Sequence, residues 1–225
     1  MKTTDELLAR LHEIAEQARP EVTSIRARIP PEFHQEVLDR WDSPKGLQLE
    51  IIDENEYIDG SEGMAALWET MDISDQLNPE YLPRTHYAAD LVQRFLPEPC
   101  TVIEVGSGYG LLTLELRARG YTVFPVDINP VVLRYGGMCL DASIHIPGNA
   151  EMIVSVACVE HFPHVRAEQA IRSMRAKCHQ LLLISDTTSF SGIHNRVDLV
   201  GILGPPAFEE PAPLMGKHYV TRLWT

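Results

Sequence analysis

Glu104, Asp127, Asp141 and His161 are residues whose types and spacing could do chemistry in this chain. Glu104 stands two positions before the first of three closely spaced glycines, Gly106, Gly108 and Gly110. Asp127 follows 21 residues after Gly106, at the end of the next apolar run. Residues 101–105 read as a β-branched strand, 111–118 as a helix and 121–126 as a second strand. A strand that runs into a glycine loop opening a helix, followed by a strand ending on an acid, builds a nucleotide pocket at the carboxyl edge of a parallel sheet. The glycines let the backbone turn tightly and come close to a ligand. Asp127 stands where a carboxylate can bond ribose hydroxyls.

The loop spacing narrows the ligand. A dinucleotide loop is spaced G-x-G-x-x-G, whereas this one is G-x-G-x-G. A carboxylate at Glu104 would repel a pyrophosphate. It suits a ligand with an ammonium, a sulfonium and no phosphate, which is the chemistry of S-adenosylmethionine (SAM). An ordinary strand–turn–helix with incidental glycines is the plain alternative.

With the loop, Glu104 and Asp127 in register, the chain resembles the class I SAM-dependent methyltransferases. Their first motif is commonly E/D-x-G-x-G-x-G after the first strand. The resemblance spans roughly residues 85–190. It implies an α/β fold: a Rossmann-like, doubly wound, mostly parallel sheet of six or seven strands, the last one antiparallel. It also implies that Glu104, Gly106, Ser107, Gly108, Gly110, Asp127 and Ile128 contact the cofactor. Downstream, Asp141-Ala142 and Val159-Glu160-His161-Phe162 look like the family's segments around its fourth strand. By resemblance, Asp141 and Ala142 meet the adenine, and His161 sits beside the methionine part of the cofactor. Only 13 residues separate Asp127 from Asp141, so the usual third helix and strand must be compressed into residues 130–140.

Other elements must position these groups. Thr3 and Glu6 form a capping-box signature, and Leu7, Leu8, Leu11 and Ile14 follow at helical spacing. The pattern predicts helices over 86–95, 164–175 and 195–203, strands over 180–185 and 218–224, and a division into 1–84 and 85–225. The first segment reads as a helical lid over the cofactor, or as a plain packing layer or a homodimer surface. No partner strand is evident between residues 187 and 217, which leaves six strands as the alternative to the family's seven.

Methyl transfer from a sulfonium needs a positioned acceptor, exclusion of water and, for a hydroxyl, removal of a proton. His161 is the candidate general base, with a cofactor contact as its other reading. His164, Asp186 and His194 are candidate acceptor contacts; turn and cap chemistry is the ordinary alternative for the last two. His161 and His164 have helical spacing that could bind a metal, but no motif places a third ligand, so no metal is expected.

The net charge of −13 argues against a nucleic-acid substrate and disfavours anionic membranes. The polar start and the lack of a long apolar run make the cytosol the expected compartment. Cys100, Cys139, Cys158 and Cys178 are widely spaced and predicted to be buried free thiols. The leading functional reading is a methyltransferase acting on a hydroxyl or amine of a small-molecule metabolite. A protein methyltransferase and a SAM-binding scaffold without turnover are the alternatives.

Overall fold

The computed structural model describes residues 81–162, 164–186, 197–212, 214–215 and 218–225. The N-terminal helices, the lid reading and His194 lie outside the described residues. Helix α1 (Tyr81–Phe95) leads into β1 (Thr101–Val105), α2 (Leu111–Ala118) and β2 (Thr122–Asp127). A 3-10 turn (Pro130–Tyr135) and the two-residue β3 (Met138–Cys139) follow, then β4 (Ala150–Val156). A second 3-10 turn (Val159–His161), α3 (His164–Ala176) and β5 (Cys178–Ser185) come next. Helix α4 (Leu199–Leu203), β6 (Phe208–Pro211) and β7 (Val220–Trp224) close the chain.

The described strands form one seven-stranded sheet in the order β3-β2-β1-β4-β5-β7-β6. Strand β7 is antiparallel to both neighbours, and every other pairing is parallel. The strand order reverses at β1, between β2 and β4, and ligands bind at the carboxyl edge at such a switch point.

Six or seven strands were expected, and the sheet of the described residues has seven. The seventh, β6, is Phe-Glu-Glu-Pro, with two acids and a proline that argue against a strand on propensity. It forms because it is an edge strand, where a proline lacks no inner-ladder partner. Arg222 on β7 donates to Glu209 at 2.7 Å, and the Tyr87 hydroxyl donates to Glu210 at 3.2 Å. The compressed region behaves as its spacing demands, with a single 3-10 turn and a two-residue strand in place of a full helix and strand.

Alternation along the strands divides the core. Val102, Val123, Met152, Val154, Leu182 and Ile184 pack under α1 and α2. Ile103, Val105, Ile153, Leu181 and Leu183 pack on the opposite face, with Ile171 and Met174 of α3. The α1 helix begins at Tyr81, five residues before the 86–95 expected for it, so the proposed boundary at 84/85 falls inside this helix. The helix expected over 195–203 is shorter, Leu199–Leu203, and Asp198 caps it by accepting from Gly201 N at 2.8 Å. The cysteines were expected to be buried, but Cys100, Cys158 and Cys178 are half-buried, and Cys139, on the short edge strand β3, is exposed.

Candidate functional site

The loop between β1 and α2 is tied to the end of β2. Gly106 N and Ser107 N both donate to Val126 O, at 2.9 and 3.3 Å. Gly110 N donates to Ser107 O at 2.8 Å and is the N-cap of α2 with φ +83°. Gly106 has φ +77°, and a β-carbon there would run into Cys158. At Gly110 a β-carbon would meet the Tyr135 ring 2.9 Å away. Both positions therefore demand glycine on two counts, a left-handed backbone and a space already filled.

Two carboxylates flank this loop. Glu104 lies on β1 and shares the α2 face with Val102, because side chains alternate along a strand. It is buried, and the Thr113 hydroxyl of α2 donates to it. Burial pushes the Glu104 carboxyl up to about 8, the Thr113 hydrogen bond works against the rise, and the Asp127 charge adds to it. Asp127 ends β2. Its Oδ2 accepts from Gly108 N at 2.7 Å and its Oδ1 from Asn129 N at 2.7 Å. Desolvation raises its pKa, and the backbone N–H groups of Asn129, Gly108 and Ile128 oppose the rise. Asp127 thus holds the loop that a ligand would approach, besides offering its own charge.

Tyr135, from the 3-10 turn, completes the loop's frame. Its hydroxyl lies 3.0 Å from Ser107 Oγ and donates to Gly108 O at 2.5 Å. Arg117 of α2 fixes the turn by donating to Tyr135 O at 2.6 Å and to Val123 O at 2.8 Å. Sequence reading missed Tyr135; its only signal was its place in a compressed connection next to the loop.

A second group of polar side chains gathers where β4 and β5 end. Ala157 leaves β4 with φ +50°, a left-handed conformation that costs a β-carbon-bearing residue about 1 kcal/mol. The chain then turns through the 3-10 segment, with His161 N donating to Cys158 O at 2.8 Å. Glu160 is 0 % exposed, His161 8 % and Asp186 5 %. The backbone N–H groups of Glu160 and Asp186 and the Tyr219 hydroxyl face the Glu160 carboxylate, yet neither of its oxygens has a partner at hydrogen-bond geometry. Burial pushes Glu160 up to about 7, with the Asp186 charge adding to the rise. The Tyr219 phenol is pushed well up by burial and by the Glu160 and Asp186 charges, with Arg84 pulling it the other way. Cys158 links the two groups. Its sulfur packs against Gly106, and its thiol is raised by burial and then by the charges of Asp127 and Glu160.

Asp141 follows β3, where its Oδ1 accepts from Ser143 N at 2.8 Å and Ser143 Oγ at 2.6 Å. Its Oδ2 pairs with Arg166 at 3.3 Å. Ala142 is buried in the α3-side core beside Ile146 and Phe162. His164 opens α3. The structure therefore brings Glu104, the glycines and Asp127 together, and separately places Asp186 against Glu160, the chain neighbour of His161. Sequence reading passed over Glu160 as a motif letter and did not single out Tyr219.

The donor set fits SAM: a backbone cradle with no room for side chains, a carboxylate on either side of it and no basic side chain for a phosphate on the loop itself. No helix among the described residues is long and apolar enough to cross a membrane. Three comparisons bear on the fold. An N-methyltransferase, NodS from Bradyrhizobium japonicum WM9, solved with S-adenosylhomocysteine (SAH), aligns over 73% of this chain and 97% of its own, at 13% identity and a TM-score of 0.57. The 1,6-didemethyltoxoflavin-N1-methyltransferase of Burkholderia thailandensis covers 67% of this chain and 80% of its own, at 16% identity and TM-score 0.53. Magnesium protoporphyrin IX methyltransferase from Synechocystis PCC 6803 covers 68% and 86%, again at 16% identity and TM-score 0.53. No curated protein sequence matches the chain significantly. The family profile described as a methyltransferase domain matches residues 80–215, more than half of the chain. With that match and the 3-2-1-4-5-7-6 sheet, the chain belongs to the class I SAM-dependent methyltransferases.

Proposed function

We propose that this methyltransferase acts on a hydroxyl or amine of a small-molecule metabolite in the cytosol. The carrying observation is the burial of Glu160, His161 and Asp186 together at the carboxyl ends of β4 and β5. Enclosed polar groups suit an acceptor that is surrounded, and an enclosed site excludes the water that would compete with it. The net charge of −13 supports a substrate other than nucleic acid. Free thiols at all four cysteines fit a reducing compartment.

In this reading Gly106, Ser107, Gly108 and Gly110 cradle the cofactor. Glu104 faces its cationic end, and Asp127 with Ile128 takes the ribose. Asp141 and Ala142 border the adenine. When bound, SAM supplies a methyl carbon whose bond to sulfur breaks with the electron pair staying on sulfur. The chain's part is to orient the acceptor, exclude water and accept its proton, with His161 and its neighbours at that end of the site. His164, Asp186 and His194 are the proposed acceptor-side residues.

The test is transfer of isotope-labelled methyl from SAM in a cell extract that is then separated by size. Label is expected in the small-molecule fraction. Label on protein would instead assign a protein acceptor. Tight SAM binding without any transfer would assign a binding scaffold.

A further inference from the structure

We propose that the acceptor is an amine, bound as its ammonium by the buried carboxylates Glu160 and Asp186, with Glu160 taking the proton that must leave before the nitrogen can react. The inference rests on the functional reading above and deepens it by choosing amine over hydroxyl.

A fully buried carboxylate with two empty oxygens is costly, since each lost hydrogen bond leaves its desolvation uncompensated. Glu160 is in this position: it is 0 % exposed and both oxygens lack a partner. What it requires is a donor of hydrogen bonds and positive charge. Among the described residues, the groups around it do not supply one in full. Just past β5 it faces the backbone N–H of Asp186 and also that residue's charge, a second carboxylate. Before β7 it faces Tyr219, and the thiol of Cys158 lies two residues back. Arg84 of α1 acts on Tyr219. An ammonium offers two or three N–H donors and a full charge, matching two carboxylates. An alcohol offers one donor and no charge.

Position supports the same conclusion. Cys158 touches Gly106 on one side and feels the Glu160 charge on the other. The carboxylate pair therefore stands next to the glycine cradle, across the switch point of the sheet. The proton balance is simple. The ammonium gives one proton to the Glu160 carboxylate, leaving a neutral amine with a free lone pair and a neutral carboxylic acid. Burial lowers the pKa of an ammonium and raises that of a carboxyl, so the two converge and the transfer becomes feasible.

The test uses the SAH complex of the full chain and matched ligands: benzylamine, phenethylamine and cadaverine against benzyl alcohol, 2-phenylethanol and 1,5-pentanediol. Calorimetry reads binding, and labelled transfer from SAM reads turnover. At least one amine should bind the SAH complex at least about tenfold more tightly than its alcohol and accept methyl. Glu160→Gln should weaken that amine at least about tenfold, leave SAH affinity within about twofold, and remove the rise of amine turnover with pH through Glu160 ionisation. Should Glu160→Gln not fold, Asp186→Asn should show the same selective loss. Equal binding of amines and alcohols, no amine binding, or unchanged amine affinity in the variants would overturn the proposal. If wild type fails to bind SAH, the first titration shows it, and both this proposal and the functional reading fall.

Discussion

The sulfur of Cys158, just past β4, occupies the space that a β-carbon on Gly106 would need. The first glycine of the loop and the start of the turn after β4 are thus packed against one another. Gly106→Ala should overpack this contact and force a residue with a side chain to φ +77°, costing about 1–3 kcal/mol for the overpacking and about 1 kcal/mol for the backbone. Thermal melts should show the loss, and calorimetry should show weaker SAM binding. Adding Cys158→Gly should recover part of the stability. A double-mutant cycle with no coupling would separate the two residues.

Asp127 holds the glycine loop and is proposed to bind the ribose, and two substitutions should separate the two roles. Asp127→Ala frees the N–H groups of Gly108 and Asn129, so it should lower both melting temperature and SAM affinity. Asp127→Asn keeps one acceptor oxygen and removes the charge. It should weaken SAM binding by about 1.5–3 kcal/mol, as for a lost charge-assisted hydrogen bond, with a smaller stability loss. Unchanged affinity in both variants would remove the ribose assignment.

Glu104 predicts a pH dependence with a definite sign. Burial raises its pKa from 4.5 to about 8, so the folded state holds the proton where the unfolded chain has lost it. That contribution is full below about 4.5 and declines as pH rises through about 8. Glu160 acts in the same direction up to about 7. The ligand-free protein should therefore lose stability across this range in pH-dependent denaturant melts. A cationic cofactor prefers the carboxylate, so SAM affinity should rise with pH toward about 8, by up to about tenfold per unit. Glu104→Gln should bind more weakly and flatten that rise.

His161 is separable from Glu160. If Glu160 accepts the proton, His161→Ala should lower kcat by less than about tenfold and leave the pH profile in place. A loss of about 10²-fold or more, with disappearance of a limb near the ordinary histidine pKa of about 6.5, would assign the base to His161. Rates at saturating SAM over a pH series decide between them.

The glycine loop and its carboxylates were legible because each depends on local spacing. Residues 101–105 and 111–118 form strand and helix at their expected bounds, and Asp127 ends its strand. The short route between β2 and Asp141 could be read from residue count alone, since 13 residues cannot hold a full helix and strand. Other features depend on partners distant in sequence. Strand β6 has poor propensity and exists because β7 pairs with it and Arg222 reaches Glu209. The contact of Cys158 with Gly106, and of Tyr135 with Ser107, joins residues that no periodicity relates.

By itself, then, the sequence determined the family and the cofactor chemistry, because a nucleotide loop is a short-range device of backbone turn and flanking charge. Only the tertiary structure decided which polar groups meet at the carboxyl ends of β4 and β5. Glu160 and Asp186 stand 26 positions apart in the chain. They become neighbours because β4 and β5 run parallel and in register, from Ala150 opposite Cys178 to Val156 opposite Ile184, and so deliver their following residues to the same edge. Tyr219 joins them because β7 runs the other way, which brings its first residue, Val220, opposite Ser185 at that edge.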